Sequence, residues 1–295
     1  IMMFSNIGKV FVKKAYELPE ASRTSKGTNL VNIIELQPDE KITAYVSLES
    51  LKDKDLFLTM VTKNGVIKRT SLELYKNIRR AGLIAINLDE GDELLYVLKT
   101  DGNSNMLLAT HNGLAVYFDE NDVRPLGRGA RGVKAITVSD GDFVVGAVAT
   151  LKDETRKVLT ITENGLGKRT ELSEFSLHNR GGKGMKCHNL NEKTGKLNGI
   201  ALVNDDDDVM LITNTGTIIR THVDEISVIG RTASGVRVMR TGEDVLITNF
   251  TVVEKSEEQE DSASDNADDE ITADLSENEN SAETSLQADD EQDSE

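Results

Sequence analysis

The chain has 295 residues and carries 34 Lys+Arg against 51 Asp+Glu, a formal charge of −17 at pH 7. Its one cysteine, Cys187, excludes an internal disulfide framework and suits a reducing cytosol, where it reads as a small buried apolar side chain. No apolar run approaches the ~20 residues needed to span a bilayer and no signal peptide precedes the first expected strand, so no membrane partner is expected. The chain opens at Ile1, inside an expected strand and without an initiator Met, as a piece of a longer protein would.

Five segments in chain order share one pattern: an apolar strand, a polar turn ending in glycine, and a second strand that usually ends in basic residues. They are IMMFSNIGKVFVKK (1–14), LFLTMVTKNGVIKRT (56–70), MLLATHNGLAVYF (106–118), VLTITENGLGKRT (158–170) and VMLITNTGTIIRT (209–221). Asn-Gly at 64–65, 112–113 and 164–165 predicts type I′ hairpin turns, which need φ > 0 at both central residues. The other copies turn at Gly8 and Gly216, giving a period of about 50 residues.

A second glycine follows each turn, at Gly27, Gly82, Gly132, Gly184 and Gly235. It closes the basic loops RTSKG, RRAG, RGARG, RGGKG and RTASG. Each repeat then ends in more strand: KITAYVSL, DELLYVL, DFVVGAVAT, LNGIALV and DVLITNFTVV. About four short strands per repeat predicts an all-β, propeller-like ring or spiral, since one such unit cannot bury both faces alone.

Residues 256–295 contain 17 Asp+Glu and no Lys or Arg, leaving 34 acidic against 34 basic groups in residues 1–255. The tail has no aromatic residue and is expected to be disordered, with 1–255 forming the folded domain. A single basic loop of this kind usually pairs within its own sheet. Five at matching positions predict a positive belt on one edge, suited to a polyanion with regularly repeating charge, that is, a nucleic-acid backbone. The expected phosphate contacts are Arg23, Lys26, Arg79, Arg80, Arg128, Arg131, Arg180, Lys183, Lys186 and Arg231 with the glycines Gly181, Gly182 and Gly184. Lys68, Arg69, Lys168, Arg169 and Arg220 after the hairpin turns are expected to help.

Through GKVFVKKAYELPEASRTSKG, ENGLGKRTELSEF and ITNTGTIIRTHVDEISVIGRTASGVRVMRTGEDV, residues 1–255 resemble the C-terminal domain of the A subunit of bacterial DNA gyrase, a type IIA topoisomerase. The resemblance implies a β-pinwheel, a six-bladed propeller relative with strands exchanged between neighbours, of which five blades are visible here. It implies an outer edge that bends and wraps double-stranded DNA in support of ATP-dependent negative supercoiling. It also implies that the rest of the gyrase A chain and the gyrase B chain are partners, in a cytoplasmic, nucleoid-associated heterotetramer. ATP and Mg²⁺ would be used elsewhere in that holoenzyme, with no cofactor and no catalytic residue in this piece.

HNRGGKG at 178–184 matches five of the seven positions of the family's Gln-Arg-Arg-Gly-Gly-Lys-Gly heptad, with His178 and Asn179 replacing Gln and Arg. It stands in the fourth visible repeat rather than the first blade, so the family's own box is expected upstream of Ile1. The corresponding C-terminal domain of topoisomerase IV, with its degenerate heptad, is the alternative within the family. A protein-interaction propeller is the alternative of another class, and would need a large apolar patch.

Other chemistry finds no footing in the sequence. GRGARGVK (127–134) lacks the Gly-Lys-Ser/Thr of a nucleotide loop. The four histidines have no zinc spacing, and Asp205–Asp208 lacks the glycine and glutamate of a calcium loop. Tyr16, Tyr45, Tyr75, Tyr96 and Tyr117 are expected to pack in the core or at the rim.

Overall fold

A computed structural model describes residues 1–253 except 23, 52 and 243. Arg23 and the acidic tail therefore lie outside the described residues. All the regular structure described is β-strand with short 3-10 turns, arranged as four four-stranded sheets and one three-stranded sheet.

Each repeat after the first supplies a hairpin, a two-residue strand given to its predecessor, and a closing inner strand. The first repeat forms β1 (Met2–Ser5), β2 (Lys9–Val12) and β3 (Ile42–Val46). The second forms β4 (Phe57–Thr62), β5 (Val66–Ser71), β6 (Leu83–Ile84) and β7 (Leu94–Thr100). The third forms β8 (Ser104–Thr110), β9 (Leu114–Asp119), β10 (Val133–Lys134) and β11 (Val144–Leu151). The fourth forms β12 (Lys157–Thr162), β13 (Leu166–Thr170), β14 (Met185–Lys186) and β15 (Leu197–Val203). The fifth forms β16 (Asp208–Thr213), β17 (Ile218–His222), β18 (Val236–Arg237) and β19 (Ile247–Val253).

The sheet orders are β3-β1-β2-β6, β7-β4-β5-β10, β11-β8-β9-β14, β15-β12-β13-β18 and β19-β16-β17. The outermost strand of each of the first four blades thus comes from the following repeat. This exchange is the pinwheel arrangement that the resemblance implies. The fifth blade has three strands because no later repeat among the described residues supplies a fourth.

Burial explains why the central strands read as nearly continuous apolar runs. All seven residues of β8 are buried, and alternate side chains serve opposite neighbours. Met106 and Leu108 join Val61 and Ile67 of the preceding blade, whereas Leu107 and Ala109 join Val158 and Leu197 of the next. β12 repeats the division, with Val158 facing back and Leu159 and Ile161 facing Val209 and Leu211. On the first blade, Met3 and Phe11 are covered by Leu30, Ile33 and Ile34 from its own connecting segment.

The hairpin turns differ from the type I′ expectation. No turn asparagine has positive φ; only the glycines do, at +79° for Gly65, +76° for Gly113 and +78° for Gly165. The N–H of each turn glycine donates three residues back, to Ser5, Thr62, Thr110, Thr162 and Thr213 O. The side-chain hydroxyls of the same five residues accept from the N–H that follows the glycine. These are three-residue turns closed by a left-handed glycine, for which the Ser or Thr is part of the code.

A second constraint on the turn glycines comes from the next repeat. A Cβ on Gly165 would lie 2.4 Å from Met239 O, and one on Gly8 would lie 2.5 Å from Ile86 O. Gly216 has nothing within 4 Å, in keeping with a last hairpin that receives no strand. At the loop glycines the pattern is mirrored. Gly132, Gly184 and Gly235 press on Ile67, Ala115 and Gly167 O at 2.6, 2.8 and 2.6 Å, while Gly27, whose loop donates no strand, meets nothing.

Candidate nucleic-acid interface

The exchanged strands set the chemistry of the outer edge. In each, the first residue is half-buried and the second points into solvent, giving Ile84, Lys134, Lys186 and Arg237 in succession. Sequence reasoning selects Lys186 and misses Lys134 and Arg237. Their signal is position: each stands two residues after the loop glycine.

The loop arginines are built onto these strands. Arg180 donates from Nε to Asp122 O at 3.0 Å and from Nη1 to Lys134 O at 2.9 Å. Arg231 donates from Nε to Glu174 O at 2.6 Å and from Nη1 to Lys186 O at 2.5 Å. Each guanidinium thus bridges the 3-10 turn and the exchanged strand of the preceding repeat. The exchanged-strand residue whose carbonyl it takes is in each case an exposed lysine. Two successive blade boundaries thus each carry a braced loop arginine and an exposed lysine, Arg180 with Lys134 and Arg231 with Lys186, and positive charge repeated along an edge favours an external anion.

The HNRGGKG loop carries the first of these arginines, Arg180. Thr137 fixes it by donating from N to Gly182 O and from Oγ1 to Gly181 O, both at 2.8 Å, and Gly181 N donates to Ala135 O. Gly181 and Gly184 have φ of +85° and +87°, and Gly184 is further required by its approach to Ala115 O. Gly182 has neither restriction. Lys183 is exposed at the loop tip, as are Lys26, Arg79, Arg80 and Arg131, while Arg128 is half-buried. Arg131 pairs with Asp89 at 2.6 Å and Arg80 with Glu35 at 3.5 Å, and all four side chains are well exposed. Such pairs contribute only about 0–1 kcal/mol, so a phosphate can compete for the arginine.

Four of the five basic residues after the hairpin turns, Lys68, Arg69, Lys168 and Arg169, are buried and so do not reach this edge. Lys68 and Lys168 have no exposed surface. Lys68 Nζ donates to Ala85 O at 2.6 Å and to Arg128 O, and Lys168 Nζ donates to Gly230, Arg231 and Ala233 O. Burial pushes both ammonium groups down to about 8. Arg69 is also buried and bonded to Glu120 at 3.2 Å and Asn121 at 3.0 Å. Arg169 binds Asp205, Ile226 O and Asp224 O. The fifth, Arg220, is exposed on the outermost strand of the last sheet and pairs with Asp208, with Nη2 at 2.5 Å and Nε at 2.6 Å. The physical reason is strand position. The four buried side chains lie along the hairpins, where neighbouring loop carbonyls and local carboxylates take their donors.

Nearby titratable groups serve packing. His188 Nε2 donates to Ser234 O at 3.1 Å, leaving Nδ1 to accept from Thr160 Oγ1 at 3.0 Å. Burial first, and Lys168 second, hold it neutral with a pKa of about 4. Cys187 is buried and its thiol is pushed up to about 12, also by burial. Tyr75 and Tyr117 are core residues and Tyr96 is half-buried, whereas Tyr16 and Tyr45 are exposed. No group of His, Cys, Asp and Glu among the described residues is arranged to hold a metal, and no described helix is long and apolar enough to cross a membrane.

The DNA gyrase A chain of Staphylococcus aureus (strain NCTC 8325 / PS 47) is 43% identical over 277 residues, covering 94% of this chain and 31% of that protein. The counterpart from strain MRSA252 is 42% identical over 260 residues, covering 88% of this chain and 29% of its own length. The chain therefore spans about a third of these relatives. A crystal structure of the C-terminal domain of DNA topoisomerase IV superposes with a TM-score of 0.79 at 29% identity, covering 86% of this chain and 78% of that one. A structure of the DNA gyrase A C-terminal domain gives a TM-score of 0.74 at 26% identity, covering 85% and 81%. The family model described as DNA gyrase C-terminal domain, beta-propeller, matches residues 1–44, 57–101, 104–150, 156–204 and 207–254. With one match for each blade of the fold, the chain belongs to this DNA gyrase C-terminal domain family.

Proposed function

We propose that this chain binds, bends and wraps duplex DNA along the outer edge defined by the exchanged strands, as part of a gyrase A chain. The observation that carries the reading is the bracing of Arg180 on Lys134 O and of Arg231 on Lys186 O, which gives each of two neighbouring blade boundaries a loop arginine and an exposed lysine. Lys183, Arg128, Arg131, Arg79, Arg80, Lys26 and Arg237 extend the positive surface, and Arg23 is assigned to it by sequence. Lysine and arginine at such sites hold phosphates without reading bases, so binding is sequence-tolerant and steeply dependent on salt. Within the holoenzyme, with the rest of the gyrase A chain and with the gyrase B chain in the cytoplasm, the wrap would direct ATP-dependent negative supercoiling. ATP and Mg²⁺ would act outside this chain. A gel shift with linear duplex across a salt series tests binding, and linking-number change on relaxed circles tests wrapping.

The topoisomerase IV reading is favoured by the higher TM-score of that structure; the gyrase reading rests on the more identical full-length relatives. Supercoiling of a relaxed plasmid by the assembled enzyme separates them, since only a gyrase introduces negative supercoils.

The 17 carboxylates of residues 256–295 supply a tethered competitor for the same edge. Ending the chain at Lys255 should tighten DNA binding most at low salt, where screening is weakest. Equal affinities at every ionic strength would reduce the tail to an aid to solubility.

A further inference from the structure

The most unusual buried groups in the molecule are the two lysines that the sequence places among the phosphate contacts. An ammonium stripped of water needs acceptors for its protons, and here they are main-chain carbonyls of the neighbouring loops. Lys168 gathers three carbonyls from residues 230–233, the loop that carries Arg231. Lys68 ties Arg128 O of the next repeat's loop to Ala85 O of its own. In a planar trans peptide the N–H points opposite to the C=O. Drawing Gly230, Arg231 and Ala233 O onto the ammonium therefore turns the N–H groups of Arg231, Thr232 and Ser234 away from it. None of these three donates to another group among the described residues.

The third blade supplies an internal contrast. The residue three after the turn glycine is Lys68 in the second blade and Lys168 in the fourth, but Val116 in the third. At this boundary Gly181 N instead donates to Ala135 O, the counterpart of the Ala85 O that Lys68 takes. The bonds made by Thr137 and His178 N recur at the other two loops, from Asn87 and Leu126 N and from Asn189 and Ile229 N. The Arg128 and Arg231 loops thus carry a buried ammonium in addition to the main-chain bonds common to all three loops, and the loop between them has none.

We infer that Lys68 and Lys168 are positioning residues, which shape the Arg128 and Arg231 loops into phosphate-binding form without touching the nucleic acid themselves. This rests on the DNA-binding reading of the outer edge. Lys168 organises the backbone, and Arg231 together with the outward N–H groups makes the contact.

The test uses the 295-residue chain and a linear duplex in a double-mutant cycle. Lys168→Met should weaken binding about fivefold and, by withdrawing the Arg231 contact, lower the log–log salt slope by about one. Arg231→Gln should do the same. In the Arg231→Gln background, Lys168→Met should add less than about twofold, because both changes remove one contact. Amide hydrogen exchange without DNA supplies a readout independent of the ligand: Lys168→Met should accelerate exchange across 230–235 and leave 178–184 unchanged. Lys168→Gln, which keeps two donors and loses the charge, serves if the methionine variant does not fold.

Independent, multiplying losses in the double variant would overturn the inference, as would unaltered exchange at 230–235. If the unsubstituted chain binds no duplex, the DNA-binding reading fails and the exchange data still decide whether Lys168 holds the loop.

Discussion

Arg180 and Arg231 occupy equivalent positions in successive repeats, and each joins the last residue of a 3-10 turn to the exchanged strand of the repeat before it. The fork of the guanidinium makes this possible, because Nε and Nη1 reach two carbonyls at once while Nη2 can face an anion. Arginine at this site both braces the blade boundary and supplies the charge.

Lysine should therefore not replace it. Arg180→Lys keeps the charge and loses the fork, so duplex affinity should fall several-fold with the salt slope nearly unchanged. Arg180→Gln should lower the slope by about one as well. Fluorescence anisotropy over a salt series reads both quantities. Equal slopes for the lysine and glutamine variants would mean that Arg180 acts only as a brace.

The turn glycines offer a test of blade packing. Gly165 and Gly216 have φ of +78° and +81°, but a Cβ strikes Met239 O only at Gly165. Gly216→Ala should cost about 1 kcal/mol, the strain of the backbone alone. Gly165→Ala should cost about 2 kcal/mol more, because Met239 O belongs to backbone that must move. Urea denaturation of the two variants measures the difference. Equal costs would contradict the close approach between repeats.

His188 predicts an acid limb of stability. Its native pKa of about 4 lies below the ordinary value of 6.5, so between these values the unfolded chain binds a proton that the native chain refuses. Its contribution is complete above pH 6.5 and lost as pH falls towards 4. His188→Gln should flatten that part of the stability curve measured by urea titration. An unchanged pH dependence would show that His188 titrates alike in the folded and unfolded chain.

The repeat, its hairpins and the glycine of each basic loop are legible in the sequence because a close backbone approach leaves glycine as its mark. Gly184 against Ala115 O and Gly235 against Gly167 O are such marks. The turn type departs from the Asn-Gly expectation because that pair makes a two-residue hairpin only when asparagine itself turns left-handed. Thr62 and Thr162, bonding forward to Val66 and Leu166, specify the longer turn. The fates of Lys68 and Lys168 are not legible. Most of their partners are main-chain carbonyls more than a full repeat away, and a carbonyl has no side-chain signature. Lys134 and Arg237 escape notice because they lie outside the loops, although the register of the exchanged strands faces them outward.

Whether duplex DNA runs along the outer edge through the HNRGGKG loop is read most directly from the log–log salt slope of duplex binding. The comparison is between the intact chain and the Arg180→Gln, Lys183→Gln double variant. Two phosphate contacts removed should flatten the slope by about two, at roughly 0.9 per phosphate, while the urea midpoint stays close to that of the parent. An unchanged slope would place the DNA elsewhere on the molecule and contradict the account.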